Sequence, residues 1–152
     1  LFEWLKAMEE QVGRLGPDDI ILGHSLGAVM ALRYLEAAEM TGTPRALIMV
    51  AAPWTHKRAD MRSFFMSEFD ADVLMWKARD FIIVHSKDDE LVPFDHAKNY
   101  KEILRGKLLA REGEGHYMEE KYPVLLELIK KLADNEYEIK PGEGLENDFG
   151  EE

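Results

Sequence analysis

The sequence of 152 residues contains no cysteine, which excludes a disulfide framework and any thiolate chemistry. Long apolar runs are also missing. The longest, Ala46 to Ala52, has seven residues, against the roughly 18 that suggest a membrane-spanning helix. Basic charge is scarce: 19 Lys and Arg stand against 30 Asp and Glu, for a net charge of −11. Such a surface repels phosphate backbones, and the adjacent Lys57-Arg58 is flanked by Asp60, so neither nucleic-acid nor membrane partners are expected. No basic segment followed by an apolar one opens the sequence, and the expected setting is cytoplasmic. His56, His85 and His96 lack metal-ligand partners at useful spacing, so neither metal nor cofactor is expected.

What is present is an alternation. Leu1, Phe2, Leu5, Met8 and Val12 recur at helical spacing and predict a helix over 1–15, ending near Gly16-Pro17. A short apolar run at Asp19–Gly23 predicts a buried strand, and Gly27–Met40 a helix. Strands are expected at Arg45–Ala51, Phe81–Val84 and Lys107–Arg111, and helices at Phe94–Arg105 and Tyr122–Ala133. Between them, 54–78 is rich in aromatics and Met, its helical pattern broken around Ser67–Asp70. Helix–strand alternation predicts an α/β fold, a mostly parallel sheet with helices on both faces joined by right-handed crossovers. The main domain is expected over 1–134. An acidic tail, 135–152, carries Pro141, three glycines and seven acidic residues and is read as mobile or as a short edge strand around Tyr137 and Ile139.

Gly23-His24-Ser25-Leu26-Gly27 fits G-x-S-x-G, a pattern short enough to arise by chance. Its context gives it weight, because it follows an apolar strand and opens a helix. There a serine can stand on a sharp turn with its hydroxyl clear of the sheet, both glycines relieving the crowding. Serine is a poor nucleophile unless a base takes its proton. His116 is the last of five histidines and lies in the glycine-rich stretch Glu112–His116 after a predicted strand. An acid is expected in a strand-end loop between the two, where Asp88, Asp89 and Glu90 compete.

The ending Asp89-Glu90-Leu91-Val92-Pro93 resembles the acid loop of α/β hydrolases, with the acid four residues before the proline, and this selects Asp89. Together, GHSLGA, HSKDDELVP and GEGHYM are similar to the small serine hydrolases of the RBBP9/YdeN type, over about residues 1–134. The resemblance implies an α/β-hydrolase-like three-layer sandwich. It implies Ser25 as nucleophile, His116 as base and then acid, Asp89 as its orienting partner, and the Leu26 amide as one oxyanion donor. It also implies a small acyl substrate, cleaved as a carboxylic ester through an acyl-enzyme. A thioesterase and an interaction protein that keeps the fold without turnover are the alternatives. The family begins with a strand and a glycine-containing loop that are not seen ahead of the first helix here. Roughly 30–40 further residues are therefore expected upstream, one βα unit's worth. The sheet edge left open would recruit a partner strand or a second copy of the chain. His24 is read as structural, and the aromatic 54–78 segment either as a lid or acyl pocket or as packing over the sheet edge.

Overall fold

In the computed structural model, which describes residues 1–134, four parallel strands pair in the order β1-β2-β3-β4. They are β1 (Ile20–His24), β2 (Ala46–Val50), β3 (Asp80–Ser86) and β4 (Lys107–Arg111). The helices are α1 (Phe2–Val12), α2 (Leu26–Ala37), the one-turn α3 (Ala71–Leu74), α4 (Asp95–Leu104) and α5 (Pro123–Ala133), with a 3₁₀ helix at Ala59–Phe64. Alternation along β2 divides its side chains between two cores. Leu47 and Met49 join Phe81 and Ile83 beneath α2 and α4, while Ile48 and Val50 join Ile82, Val84 and Leu109 beneath α5. All five β2 residues are buried, which is why this strand reads as an unbroken apolar run instead of an alternating one.

The strands follow one another across the sheet in chain order. Right-handed crossovers laid in one direction all fall on the same face, so α2, α3 and α4 stack together there. The other face is left to α5, which returns from β4 to pack over the sheet as far as β1. Leu128 and Leu132 face inward, and Pro123 sits in the first turn of α5, where its missing N–H costs nothing. Three layers result, as the alternation and the resemblance both implied.

Several boundaries differ for identifiable reasons. The first helix stops at Val12 and lies on α2, with Leu1, Leu5 and Met8 packed and Phe2 and Val12 exposed. Its apolar stripe is therefore narrower than the spacing implied, and its support is a helix instead of the sheet. Tyr34 donates its hydroxyl to the Gly13 carbonyl at 2.7 Å and fixes the end of α1. The strand expected at 81–84 continues through His85 and Ser86, which pair with Ala110 and Arg111. Apolar periodicity ends at the polar residues, but the backbone ladder does not.

Within 54–78, Trp54, Phe69 and Tyr100 form an aromatic cluster with centroids 5.0–6.1 Å apart. The buried Arg33 guanidinium lies 3.8 Å over the Phe69 ring and donates to the carbonyls of Phe64, Ser67 and Glu68. It thus staples the break in this segment to α2. A cavity of about 510 Å³ lies here, lined by Trp54, Phe65, Met66, Phe69 and Ile103 above Arg33. No helix among the described residues is long and apolar enough to cross a membrane. The expected acidic tail lies outside the described residues.

Candidate active site

The turn from β1 into α2 sets the site. Ser25 has φ 53° and ψ −125°, a conformation that non-glycine residues rarely adopt and that costs on the order of 1–3 kcal/mol. The surroundings over-determine it: the Ser25 amide donates to the Val50 carbonyl at 2.8 Å, and the Ala28 amide donates to the Ser25 carbonyl at 3.0 Å. Gly23 is required by space, since a Cβ there would lie 2.5 Å from the Ala28 Cα. Gly27 is not, because a Cβ would meet nothing within 4 Å. The expectation that both glycines relieve crowding is corrected to one.

The three residues singled out by sequence meet at the carboxyl end of the sheet. Ser25 follows β1, Asp89 lies between β3 and α4, and His116 lies between β4 and α5. His116 Nε2 stands 3.0 Å from Ser25 Oγ and its Nδ1 2.8 Å from Asp89 Oδ2. A carboxylate can only accept, so Nδ1 carries the proton and Nε2 is left to accept from the serine hydroxyl. The Asp89 side chain is fully buried; its Oδ1 accepts from the Leu91 and Val92 amides, both at 2.9 Å. Both oxygens are thus satisfied, as a buried carboxylate requires.

Asp88 and Glu90 are exposed. Asp88 does not reach the imidazole; its Oδ1 accepts from the Ser86 hydroxyl and from the amides of Gly113 and Gly115. These bonds, the Ser86 hydroxyl foremost, hold its carboxyl below the usual carboxylate range.

Sequence reasoning gave the other histidines no partners, though His24 was read as structural. His24 Nε2 donates to the His116 carbonyl at 2.7 Å, so its structural reading has a specific content. His85 is fully buried at the end of β3; its Nε2 donates to the Val92 carbonyl at 2.8 Å and lies 3.3 Å from Asp89 Oδ2. Burial pushes its pKa down, against the pull of Val92 and Asp89. His96 Nδ1 accepts from the Trp54 amide at 2.9 Å and is likewise pushed down by burial. The one sequence signal was His85-Ser86, two polar residues directly following the apolar run that they extend. Among the described residues, no group of three His, Cys, Asp or Glu side chains could hold a metal ion.

The first residues of α2 have amides without intrahelical acceptors, and the Ser25 side chain does not cap them.

Comparison with known proteins places this chain in a family. YdeN of Bacillus subtilis (strain 168) is 25% identical over 122 residues, which are 79% of this chain and 64% of YdeN. The serine hydrolase RBBP9 of Rattus norvegicus is 26% identical over 133 residues, 85% of this chain and 68% of that one. This chain therefore spans about two thirds of these curated relatives. The solved structure of the ydeN gene product from B. subtilis superposes with a TM-score of 0.76 at 21% identity, covering 88% of this chain and 75% of that one. The serine hydrolase family model matches residues 1–130, and the chain belongs to that family.

Proposed function

We propose that this chain cleaves a carboxylic ester or related acyl bond through an acyl-enzyme on Ser25. The observation that carries the reading is the unbroken relay from Ser25 Oγ through His116 to Asp89 on a strained turn. Ser25 Oγ attacks the acyl carbon as its proton passes to His116 Nε2. Negative charge collects on the former carbonyl oxygen, where the Leu26 amide donates to it. Collapse of this intermediate breaks the bond to the leaving alcohol, which takes the proton from His116 and departs. Water then attacks the acyl-Ser25 ester by the same route, giving the carboxylic acid and free serine. Asp89 holds the ring in the required tautomer and stabilises the imidazolium.

Two features support an apolar acyl group over a highly charged one. The net charge is −11, and the exposed Leu91 and Met118 each lie two residues from a member of the relay. The test is turnover of a panel of p-nitrophenyl esters beside acyl-coenzyme A thioesters. Ester hydrolysis lost in Ser25→Ala supports the reading. Exclusive use of the thioesters would make the chain a thioesterase on the same serine, and ester hydrolysis that survives Ser25→Ala overturns the reading.

A further inference from the structure

Gly113, Gly115 and Tyr117 all have positive φ, at 77°, 54° and 56°. Added Cβ atoms at the two glycines would meet nothing within 4 Å, so the glycines are there for their dihedral freedom and not for close packing. Left-handed residues alternating along a loop turn successive N–H groups toward one point.

That point is occupied from the neighbouring strand end. The Gly113 and Gly115 amides donate to Asp88 Oδ1 at 3.0 and 3.3 Å. Between them, the Glu114 amide donates to Ser86 Oγ at 3.1 Å, and the Ser86 hydroxyl itself donates to Asp88 Oδ1. Three consecutive amides directly ahead of His116 are therefore gathered by one carboxylate and one hydroxyl. Asp88 is exposed and water could solvate it equally well, so the partner that gains order is the loop. On the far side, His24 holds the His116 carbonyl and the buried Tyr117 ring packs against Tyr122.

We propose that Asp88, acting with Ser86, is a positioning residue that aims His116 at Ser25 by clamping the amides of residues 113–115. The proposal rests on the reading of Ser25, His116 and Asp89 as the reacting set. It assigns the two adjacent aspartates different tasks: Asp89 holds the ring, and Asp88 holds the backbone that carries it.

The test compares Asp88→Ala, Asp88→Asn and, as control on the same loop, Glu112→Gln, which removes only the charge of the exposed pair with Lys87. Asp88 is exposed, so alanine leaves both cores untouched. Two readouts are independent of turnover: hydrogen exchange of the amides at 113 and 115, and the low-field NMR signal of the His116 Nδ1–H held by Asp89. Asp88→Ala is expected to lose protection at both amides and to broaden or lose the low-field signal. It should lower kcat roughly a hundred-fold at a nearly unchanged KM, the scale expected for misplacing a catalytic group by about 1 Å. Asp88→Asn keeps an acceptor oxygen and should restore the protection and most of the rate, while Glu112→Gln should match the wild type. An alanine variant with the low-field signal and amide protection intact, or with merely a lower melting temperature and unchanged kcat, overturns the proposal. A wild-type protein that turns over no ester would refute the acyl-transfer reading alone, since the NMR and exchange comparison still decides the role of Asp88.

Discussion

At the scale of single residues, the site separates charges by task. Asp89→Asn leaves an oxygen for the Leu91 and Val92 amides but favours the wrong tautomer of His116. The expected loss is roughly ten-thousand-fold in kcat with the fold intact, measured by ester turnover. Asp88→Asn should cost far less, and the reverse ranking would contradict the geometry. Ser25 and His116 were legible because their surroundings, a strand-to-helix junction and a glycine-rich loop, are sequence patterns with a mechanical cause. Choosing Asp89 over Asp88 and Glu90 needed the proline offset of the family resemblance, since composition treats the three alike. His24 was legible only as structural, and the contacts of His85 and Asp88 could not be read at all. His24 and Asp88 contact backbone groups of a distant segment, and His85 a carbonyl seven residues on, and no hydropathy pattern encodes either.

At the scale of elements, the strand-to-helix turn makes the two motif glycines unequal. Gly23→Ala forces a Cβ against the Ala28 backbone and the Gly27 carbonyl, at 2.5–2.7 Å. Overpacking of this kind costs about 1–3 kcal/mol, more where backbone must yield. Gly27→Ala meets open space within α2, where alanine is the better helix former by up to about 1 kcal/mol. Thermal unfolding should therefore show Gly23→Ala destabilised and Gly27→Ala neutral or slightly stabilised. Equal destabilisation by the two substitutions would refute the packing argument. Element types were legible because buried parallel strands and amphipathic helices have distinct periods. The expected end of β3 fell short because its last pairs, His85 with Ala110 and Ser86 with Arg111, are backbone bonds that hydropathy does not report. Those two extra residues bring the Ser86 hydroxyl within reach of the Glu114 amide. The 54–78 segment resisted because Arg33, far away in sequence, supplies the donors that organise it.

At the scale of the molecule, two histidines, His85 at the end of β3 and His96 on α4, link folding to pH. Burial lowers the pKa of both His85 and His96 below the ordinary value of 6.5. The unfolded chain then binds protons that the folded one refuses, so stability is full above about pH 6.5 and declines as pH falls below it. Asp88 acts in the opposite sense and lower down. Its depressed pKa adds stability above the ordinary value of 3.8, lost as pH falls through the folded value. Urea midpoints taken from about pH 8 down to about pH 4 should fall below neutrality, and His96→Gln should make that decline shallower. A midpoint that rises on acidification from neutrality would contradict this. The sheet was legible as a whole because short crossovers leave few topologies open. The packing of α1 on a helix was not, since its face reads the same whichever surface covers it.

The central claim is that Ser25, raised on its strained turn and linked to His116, is an activated nucleophile. Intact-mass analysis after exposure to a fluorophosphonate, on the wild type and on Ser25→Ala, tests it most directly. The account predicts one adduct per wild-type chain, mapped to Ser25, and none in the alanine variant. A folded wild-type chain that takes up no adduct, or an adduct that persists in Ser25→Ala, would contradict it.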